Sequence, residues 1–292
     1  MTDYDKRYVK KPRIVVSILI GIYVAIRTVF VMYAVLFTLA ATYLIVRGYF
    51  LFNEHVRAPY NEVKRLAEEH PEESAYMAQI RAELHRKGEP DTLMWRFVPL
   101  DSISRHLLNA ALAAEDDGFY THPGISLDAI AEAIDHNRMA NTLRRGGSTI
   151  TQQLAKNLFL TPEKSFERKM KELVYTLLME RYLGKDRILE LYLNYAQWGK
   201  NIFGAEAAAR AYYRKPAANL TLVESVRMAS CLAMPNRITP HHTRSSFMTK
   251  RVAVIANNLY LRKKIDDAGF MALTGEYPVG REPMADELEE ES

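Results

Sequence analysis

A carboxylate pair closes an apolar stretch in the middle of this chain. Glu115 and Asp116 directly follow a segment rich in Ala and Leu and open the run 115–124. Burial at the end of an apolar helix raises the pKa of a carboxyl group, and a raised pKa makes a useful proton acceptor. Glu115 is therefore a candidate general base, although a helix-end charge paired with a Lys or Arg also explains a glutamate considered alone.

A polar cluster follows at residues 146–157, where a Gly-Gly pair leads into a predicted helix. Hydroxyls at the start of a helix can cap it while the backbone N–H groups face an anionic ligand. Gln152 and Lys156 share one helix face because they are four residues apart. A polar face exposed to solvent is the alternative. The candidate ligand-binding residues are Ser148, Thr149, Gln152, Gln153, Lys156 and Asn157.

A basic segment comes next, at residues 164–172. Arg168 and Glu172 are four residues apart, and a simple helix salt bridge explains that pair. The segment nevertheless carries several cations beside few carboxylates, a composition that suits a pyrophosphate. Its basic residues are Lys164, Arg168, Lys169 and Lys171.

Amphipathic patterning predicts that nearly all of the segment from residue 100 to about residue 265 is helical. Ser126, Ser165 and Thr221 are predicted to be N-caps. Alternating β-branched strands are scarce, so the predicted fold class is mainly α. The predicted helices are residues 104–115, 126–136, 149–160, 165–182, 186–195, 204–213, 221–234 and 247–262.

An apolar segment near the start predicts a membrane span. Residues 28–46 form 19 positions without a charge, enough at ~1.5 Å per residue to cross ~30 Å of hydrocarbon. Around Arg27 there is no Pro, Gly or Asn loop for a two-span hairpin, so we predict one uncleaved span with Arg27 snorkelling. The basic residues before it predict a cytoplasmic N-terminus and an outward-facing domain, whereas two spans would leave the domain in the cytoplasm. These residues are Lys6, Arg7, Lys10, Lys11 and Arg13.

Charge, cysteine content and local composition limit the possible partners and predict the domain organisation. The net charge of +4 comes without a basic stripe interleaved with aromatics, which argues against nucleic acid as a partner. The single cysteine, Cys231, excludes an internal disulfide. The predicted organisation is a basic N-terminus (1–13), a transmembrane anchor (14–52), a helical stalk or pedestal (53–97), a main domain (98–270) and an acidic tail predicted to be disordered (271–292).

Four motifs in order resemble those of the peptidoglycan glycosyltransferases, over roughly residues 95–265. Four long motifs in one order are far more specific than one short pattern. A single anchor with one such domain is similar to the monofunctional members. The motifs are Glu115-Asp-x-x-Phe-x-x-His-x-Gly124, Gly146-x-Ser-Thr-Ile-Thr-Gln-Gln-x-x-Lys-Asn157, Arg168-Lys-x-x-Glu172 and Lys185-x-x-Ile-Leu-Glu-x-Tyr-Leu-Asn194.

The resemblance implies a lysozyme-like helical domain on the outer, periplasmic side of the inner (cytoplasmic) membrane. Such a domain would polymerise lipid II, an undecaprenyl-linked disaccharide-peptide, by inverting transfer with release of undecaprenyl pyrophosphate. Glu115 would be the general base. Glu172 would orient the acceptor or support the leaving group, alone or with a divalent cation (Mg²⁺ or Mn²⁺), and no organic cofactor is expected. The residues implied to bind substrate are Ser148, Thr149, Gln152, Gln153, Lys156, Asn157, Lys164, Arg168 and Lys169.

The resemblance also carries expectations about structure and partners. Lys164 stands where the family usually has Arg, which keeps the charge but loses bidentate geometry. Without a Ser-x-x-Lys, Ser-x-Asn and Lys-Thr-Gly set, we expect no transpeptidase activity. Expected partners are lipid II, the growing glycan chain, the membrane and a cell-wall synthesis complex. A glycan hydrolase and a non-catalytic cell-wall scaffold are the alternatives. Structural roles are expected for Asp116, Phe119, His122, Gly124 and Asn194.

Overall fold

The chain divides into two compact units, Met1–Ala58 and Pro59–Ser292, in this computed structural model. The structure describes residues 11–126, 147–161 and 165–278. Lys164, most of the predicted helix 126–136 and the tail beyond residue 278 lie outside these ranges. Helices dominate the described ranges, which confirms the predicted mainly-α fold class.

One long helix forms most of the first unit. Helix α1, Lys11–Phe52, runs through Arg27 without a turn, and a short π-helix, Asn53–Arg57, follows it. Within the described part of the chain, this is the one helical stretch long and apolar enough to cross a membrane. The structure therefore confirms a single apolar helix in place of a hairpin.

Short helices build the second unit. Several of them begin at a hydroxyl residue, as at Ser74, Ser104 and Thr149, whose side chain accepts a hydrogen bond from an otherwise unpaired N–H of the first turn. The helices are α2 Ala58–Arg65, α3 Ala75–Lys87, α4 Arg105–Glu115, α5 Ile150–Phe159, α6 Phe166–Tyr182, α7 Lys185–Tyr195, α8 Ala205–Tyr213, α9 Leu222–Ser230, α10 Ser246–Leu261 and α11 Asp267–Thr274, with 3₁₀ turns at Leu100–Ser102, Ala217–Asn219 and Cys231–Ala233.

These helices agree with the predicted ones wherever both are described, except near residue 230. The segment predicted as one helix, 221–234, is divided into α9 and the 3₁₀ turn after it. Ser230 and Cys231 hydrogen-bond through their side chains to carbonyls one turn back, and such bonds compete with regular helix geometry. Pro235 then prevents the helix from continuing.

A small sheet joins the start of the main domain to the end of α7. Its strands are β1 Met94–Trp95, β2 Gln197–Gly199 and β3 Ile202–Phe203, in the order β1-β3-β2. Strand β1 is parallel to β3 with Met94 opposite Ile202, and β2 is antiparallel to β3 with a register irregularity. The turn into α8 needs a glycine, because Gly204 has φ +81° and a Cβ there would lie 2.8 Å from the Asn194 carbonyl oxygen.

Two groups of buried side chains hold the second unit together. The main core includes Phe119, Tyr192 and Trp198, and Val63 and Met77 from the predicted pedestal are part of it. Residues 59–97 thus pack against the domain, while the domain boundary at residue 98 stays a prediction. A second group packs α4 against α9 and α10, and its members include Ala110, Ala113, Val226, Ile255 and Leu259.

Candidate active site

Glu115 is the last residue of α4, and its side chain is only 13% exposed. Its Oε1 accepts a hydrogen bond from Arg251 of α10 at 2.8 Å, and its Oε2 accepts one from Nε2 of Gln153 in α5 at 3.1 Å. Burial raises the pKa of Glu115, while the Arg251 cation and the bond from Gln153 act in the opposite direction. A buried, oriented carboxylate with a raised pKa has the properties that a general base needs.

Tyr192 orients the amide that contacts this carboxylate. Its buried hydroxyl donates to Oε1 of Gln153 at 3.4 Å, which leaves the amide nitrogen of Gln153 facing Glu115. Burial, and then the charge of Glu115, raises the pKa of Tyr192 well above its ordinary value. Tyr192 therefore stays protonated as a donor.

Arg251 is held from a second direction. The nitrogen that contacts Glu115 also donates to the Ala114 carbonyl oxygen at 2.7 Å. Arg251 was not predicted from the sequence because it lies 136 residues after its partner. One arginine in an amphipathic helix carries no signal of its own, so only the packing of α10 on α4 identifies it.

A set of hydrogen bonds joins the end of α4 to the start of α5. Asp116 accepts from the Ile150 backbone N–H at 2.9 Å and from Nε2 of His122 at 2.8 Å. The Gly124 N–H donates to Nδ1 of His122 at 3.1 Å, which assigns the His122 proton to Nε2. Thr149 donates its hydroxyl proton to the Gly124 carbonyl oxygen at 2.6 Å. These bonds place Gln153, one turn along α5, beside Glu115.

The other residues with expected structural roles are also enclosed. Gly124 has φ +87°, and a Cβ there would lie 2.6 Å from Cγ of Glu180, so only glycine fits. Phe119 is buried, with Nζ of Lys185 4.4 Å from its ring centre. Asn194 is also buried and exchanges two hydrogen bonds with the Val98 backbone, each 2.9 Å long.

The predicted ligand-binding cluster separates into two groups. Thr149 and Gln152 form a capping box at the start of α5. Both side chains are buried and hydrogen-bond to backbone N–H groups of this turn. Ser148 is exposed beside them. Gln153, Lys156 and Asn157 instead line a cleft. The separation follows from the helical period, which turns successive residues of one polar run in different directions.

This cleft has a volume of about 450 Å³ and reaches the base through Gln153 and Tyr192. Arg168 of α6 also lines it, so two predicted cations, Lys156 and Arg168, face the cavity. Part of the lining comes from residues that sequence analysis did not assign to the site: Tyr76, Gln79, Tyr192, Gln197 and Pro235.

Glu172 lies among cations in α6. It is 4% exposed, is hydrogen-bonded by Lys169, and has Arg168 Nη1 3.9 Å from its Oε2. The pKa of Lys156 is lowered, chiefly by burial, while Glu172 raises it and Arg168 and Lys169 lower it further. Three cations around one carboxylate leave a positive local field that suits a diphosphate.

The divalent cation expected at Glu172 stays a prediction. Among the described residues, no group of three or more His, Cys, Asp or Glu side chains is placed to hold a metal ion. Glu172 is instead occupied by cationic partners, which oppose a dication at the same oxygens.

Comparison with known proteins assigns the class. A mainly helical domain with a buried glutamate beside a cation-lined cleft has the features of a sugar-transferring enzyme. Residues 83–260 match the Transglycosylase family. The chain is 44% identical over 189 residues to the biosynthetic peptidoglycan transglycosylases of Burkholderia lata and Burkholderia orbicola, covering 65% of this chain and 77% of each relative. The corresponding protein of Burkholderia multivorans is 43% identical over the same length.

The chain belongs to the Transglycosylase family, because the match spans more than half of its length. It is an enzyme, a peptidoglycan glycosyltransferase. This confirms the class predicted from the four motifs. The roles of individual site residues stay predictions.

Proposed function

We propose that this enzyme polymerises lipid II into glycan strands by inverting glycosyl transfer. One observation carries the proposal. Glu115 is buried and held by Arg251 and Gln153, and Gln153 lines a cleft that Lys156 and Arg168 also line. A base and a separate cationic field are what attack by a sugar hydroxyl on a pyrophosphate-linked sugar requires.

Glu115 acts on the acceptor in this mechanism. Its carboxylate takes the proton of the 4-hydroxyl of the acceptor N-acetylglucosamine, and that oxygen attacks the anomeric carbon of the growing chain's terminal N-acetylmuramic acid. The bond from that carbon to the pyrophosphate oxygen breaks, and undecaprenyl pyrophosphate leaves with the bonding electrons. Attack from the face opposite the leaving group inverts the configuration.

The cations act on the leaving group. Negative charge grows on the pyrophosphate as the bond breaks, and Lys156, Arg168 and Lys169 stabilise that charge. Glu172 supports this step from behind by hydrogen-bonding Lys169 and lying beside Arg168, so the cations are ordered before the substrate arrives. Of the two roles expected for Glu172, its contacts favour support of the leaving group.

The long helix α1 anchors the enzyme in the cytoplasmic membrane. The basic residues before the span favour a cytoplasmic N-terminus, which places the catalytic domain on the periplasmic side where its lipid-linked substrate is polymerised. The motif content favours polymerisation without crosslinking, so crosslinking falls to other proteins of a cell-wall synthesis complex.

The decisive test is polymerisation of lipid II by the purified protein in detergent. Glu115→Gln should lower the rate by about 10²- to 10⁴-fold, the usual contribution of a general base, with unchanged circular dichroism. Asp117→Asn is the matched control, because Asp117 lies in the same motif but bonds outward to exposed Arg262. Full activity of Glu115→Gln would remove Glu115 as the base, and release of short fragments from preformed glycan would favour a hydrolase.

A further inference from the structure

The two sides of the cleft differ in charge. Lys156 and Arg168, from α5 and α6, give one side its positive charge. The lining residues from α3 and β2 are uncharged polar side chains, namely Tyr76, Gln79 and Gln197. A diphosphate binds where the cations are, so the uncharged side faces a different part of any ligand that carries one.

The uncharged side is preformed by a chain of hydrogen bonds. The Tyr76 hydroxyl donates to Oε1 of Gln197 at 3.1 Å, and Nε2 of Gln197 donates to Oδ1 of Asn236 at 2.9 Å. Burial, and then the charge of Glu83, raises the pKa of Tyr76, which keeps the phenol neutral. The neighbouring Met77 is buried in the main core and fixes α3 in place. The side chains of this wall are therefore held in place, and they present neutral donors and acceptors.

One group on this wall lacks a partner. Oε1 of Gln79 is buried and has no hydrogen-bond donor, although the Gln79 side chain lines the cleft. A buried acceptor without a donor is costly, and such groups are rare in folded proteins. A ligand hydroxyl or amide N–H in the cleft would supply the missing donor after a small rotation of the side chain.

We propose that Tyr76, Gln79 and Gln197 form a subsite for the neutral sugar part of the substrate, with its hydroxyl and acetamido groups. The inference rests on the proposed function and extends it. The acetamido N–H or a hydroxyl donates to Oε1 of Gln79, while the diphosphate lies on the cationic side. Tyr76 and Gln79 precede the segment 83–260 that matches the family. Two of the three subsite residues are therefore supplied from outside the matched segment.

Kinetics with lipid II on the full-length enzyme in detergent test the subsite. Gln79→Met removes the acceptor at similar size, and we expect KM to rise about tenfold, the effect of one lost hydrogen bond, with kcat changed less than twofold. Tyr76→Phe should raise KM in the same direction. Arg81→Gln is the matched control, because Arg81 also lies on α3 but is 49% exposed, pairs with Glu73 and does not line the cleft, and its KM should equal that of the wild type.

Thermal unfolding distinguishes recognition from scaffolding. Loss of a buried oxygen that has no partner should leave the melting temperature of Gln79→Met equal to or above that of the wild type, although its KM is worse. A lowered melting temperature with unchanged KM would overturn the subsite and assign Gln79 to the fold. An unchanged KM at any melting temperature would also overturn it. Wild-type protein that does not polymerise lipid II would instead refute the proposed function.

Discussion

Glu115 has the properties of a base because side chains from three other helices determine its surroundings. Arg251 of α10 supplies charge, Gln153 of α5 supplies a hydrogen bond, and Tyr192 of α7 orients Gln153. Burial favours the protonated carboxyl and Arg251 favours the carboxylate, so the working pKa is a balance between two opposing effects. Arg251 therefore acts as a positioning residue whose influence is measurable as a change in pH dependence.

Arg251→Gln should move the acidic limb of the kcat–pH profile to higher pH, by about one unit or more. In the wild type, activity rises with pH as Glu115 loses its proton, around a pKa above the ordinary 4.5. Without the cation the carboxylate is less stable, the pKa rises further, and the active form appears only at higher pH. The profile is measured with saturating lipid II.

Arg262→Gln is the control for this shift. Arg262 directly follows α10 and binds Asp117 of the same motif, but it is 52% exposed and does not contact Glu115. The acidic limb of the kcat–pH profile of Arg262→Gln should coincide with that of the wild type. An unshifted limb in Arg251→Gln would show that Arg251 does not set the protonation of the base.

At the scale of elements, the start of α5 determines how the residues of the site are positioned relative to one another. The capping box of Thr149 and Gln152 begins the helix, and Asp116 binds the N–H of its first residue. A cap satisfies N–H groups that the helix cannot pair internally. Here the cap also sets where Gln153 and Lys156 lie relative to Glu115.

Thr149→Ala should lower the free energy of unfolding by about 1–2 kcal/mol, because the helix loses its cap and the Gly124 carbonyl oxygen loses its donor. Chemical denaturation measures the change. Thr149→Ser keeps the hydroxyl and should stay close to the wild type. Wild-type stability in Thr149→Ala would mean that the capping bonds contribute nothing to the fold.

At the scale of the whole molecule, the question is on which side of the membrane the second unit lies. Cys231 is fully buried, and burial raises the pKa of its thiol to about 12. Thiolates are the reactive form, so the native cysteine contributes little background to maleimide labelling. The chain is therefore suited to single-cysteine topology mapping without removal of its own cysteine.

In spheroplasts, Lys200→Cys should react with a membrane-impermeant maleimide, whereas Thr2→Cys should react only after the membrane is opened. Lys200 is 72% exposed on the second unit, and Thr2 precedes the basic residues before α1. Gel shift of the labelled protein gives the result. The reverse pattern would place the domain in the cytoplasm, where the proposed polymerisation cannot occur.

Local features of this protein were predictable from sequence. Helix periodicity and N-cap residues identified α5, α6 and α7 to within a residue or two, because both signals act over a few neighbouring positions. The four motifs identified the enzyme class for a related reason, since each is a short run with a characteristic spacing. The division of segment 221–234 was missed because side-chain bonds to the backbone tightened its last turn.

Tertiary structure decided which residues of the candidate site contact one another. The sequence by itself determined the mainly-α fold class, the single apolar helix, the enzyme class and Glu115 as a candidate base. The packing of α10 on α4 brought Arg251 to that base, and the position of α3 added Tyr76 and Gln79 to the cleft. Only the folded chain separated capping Gln152 from cleft-lining Gln153. The physical reason is that a helical pattern is local, whereas a contact across 136 residues depends on how whole helices pack.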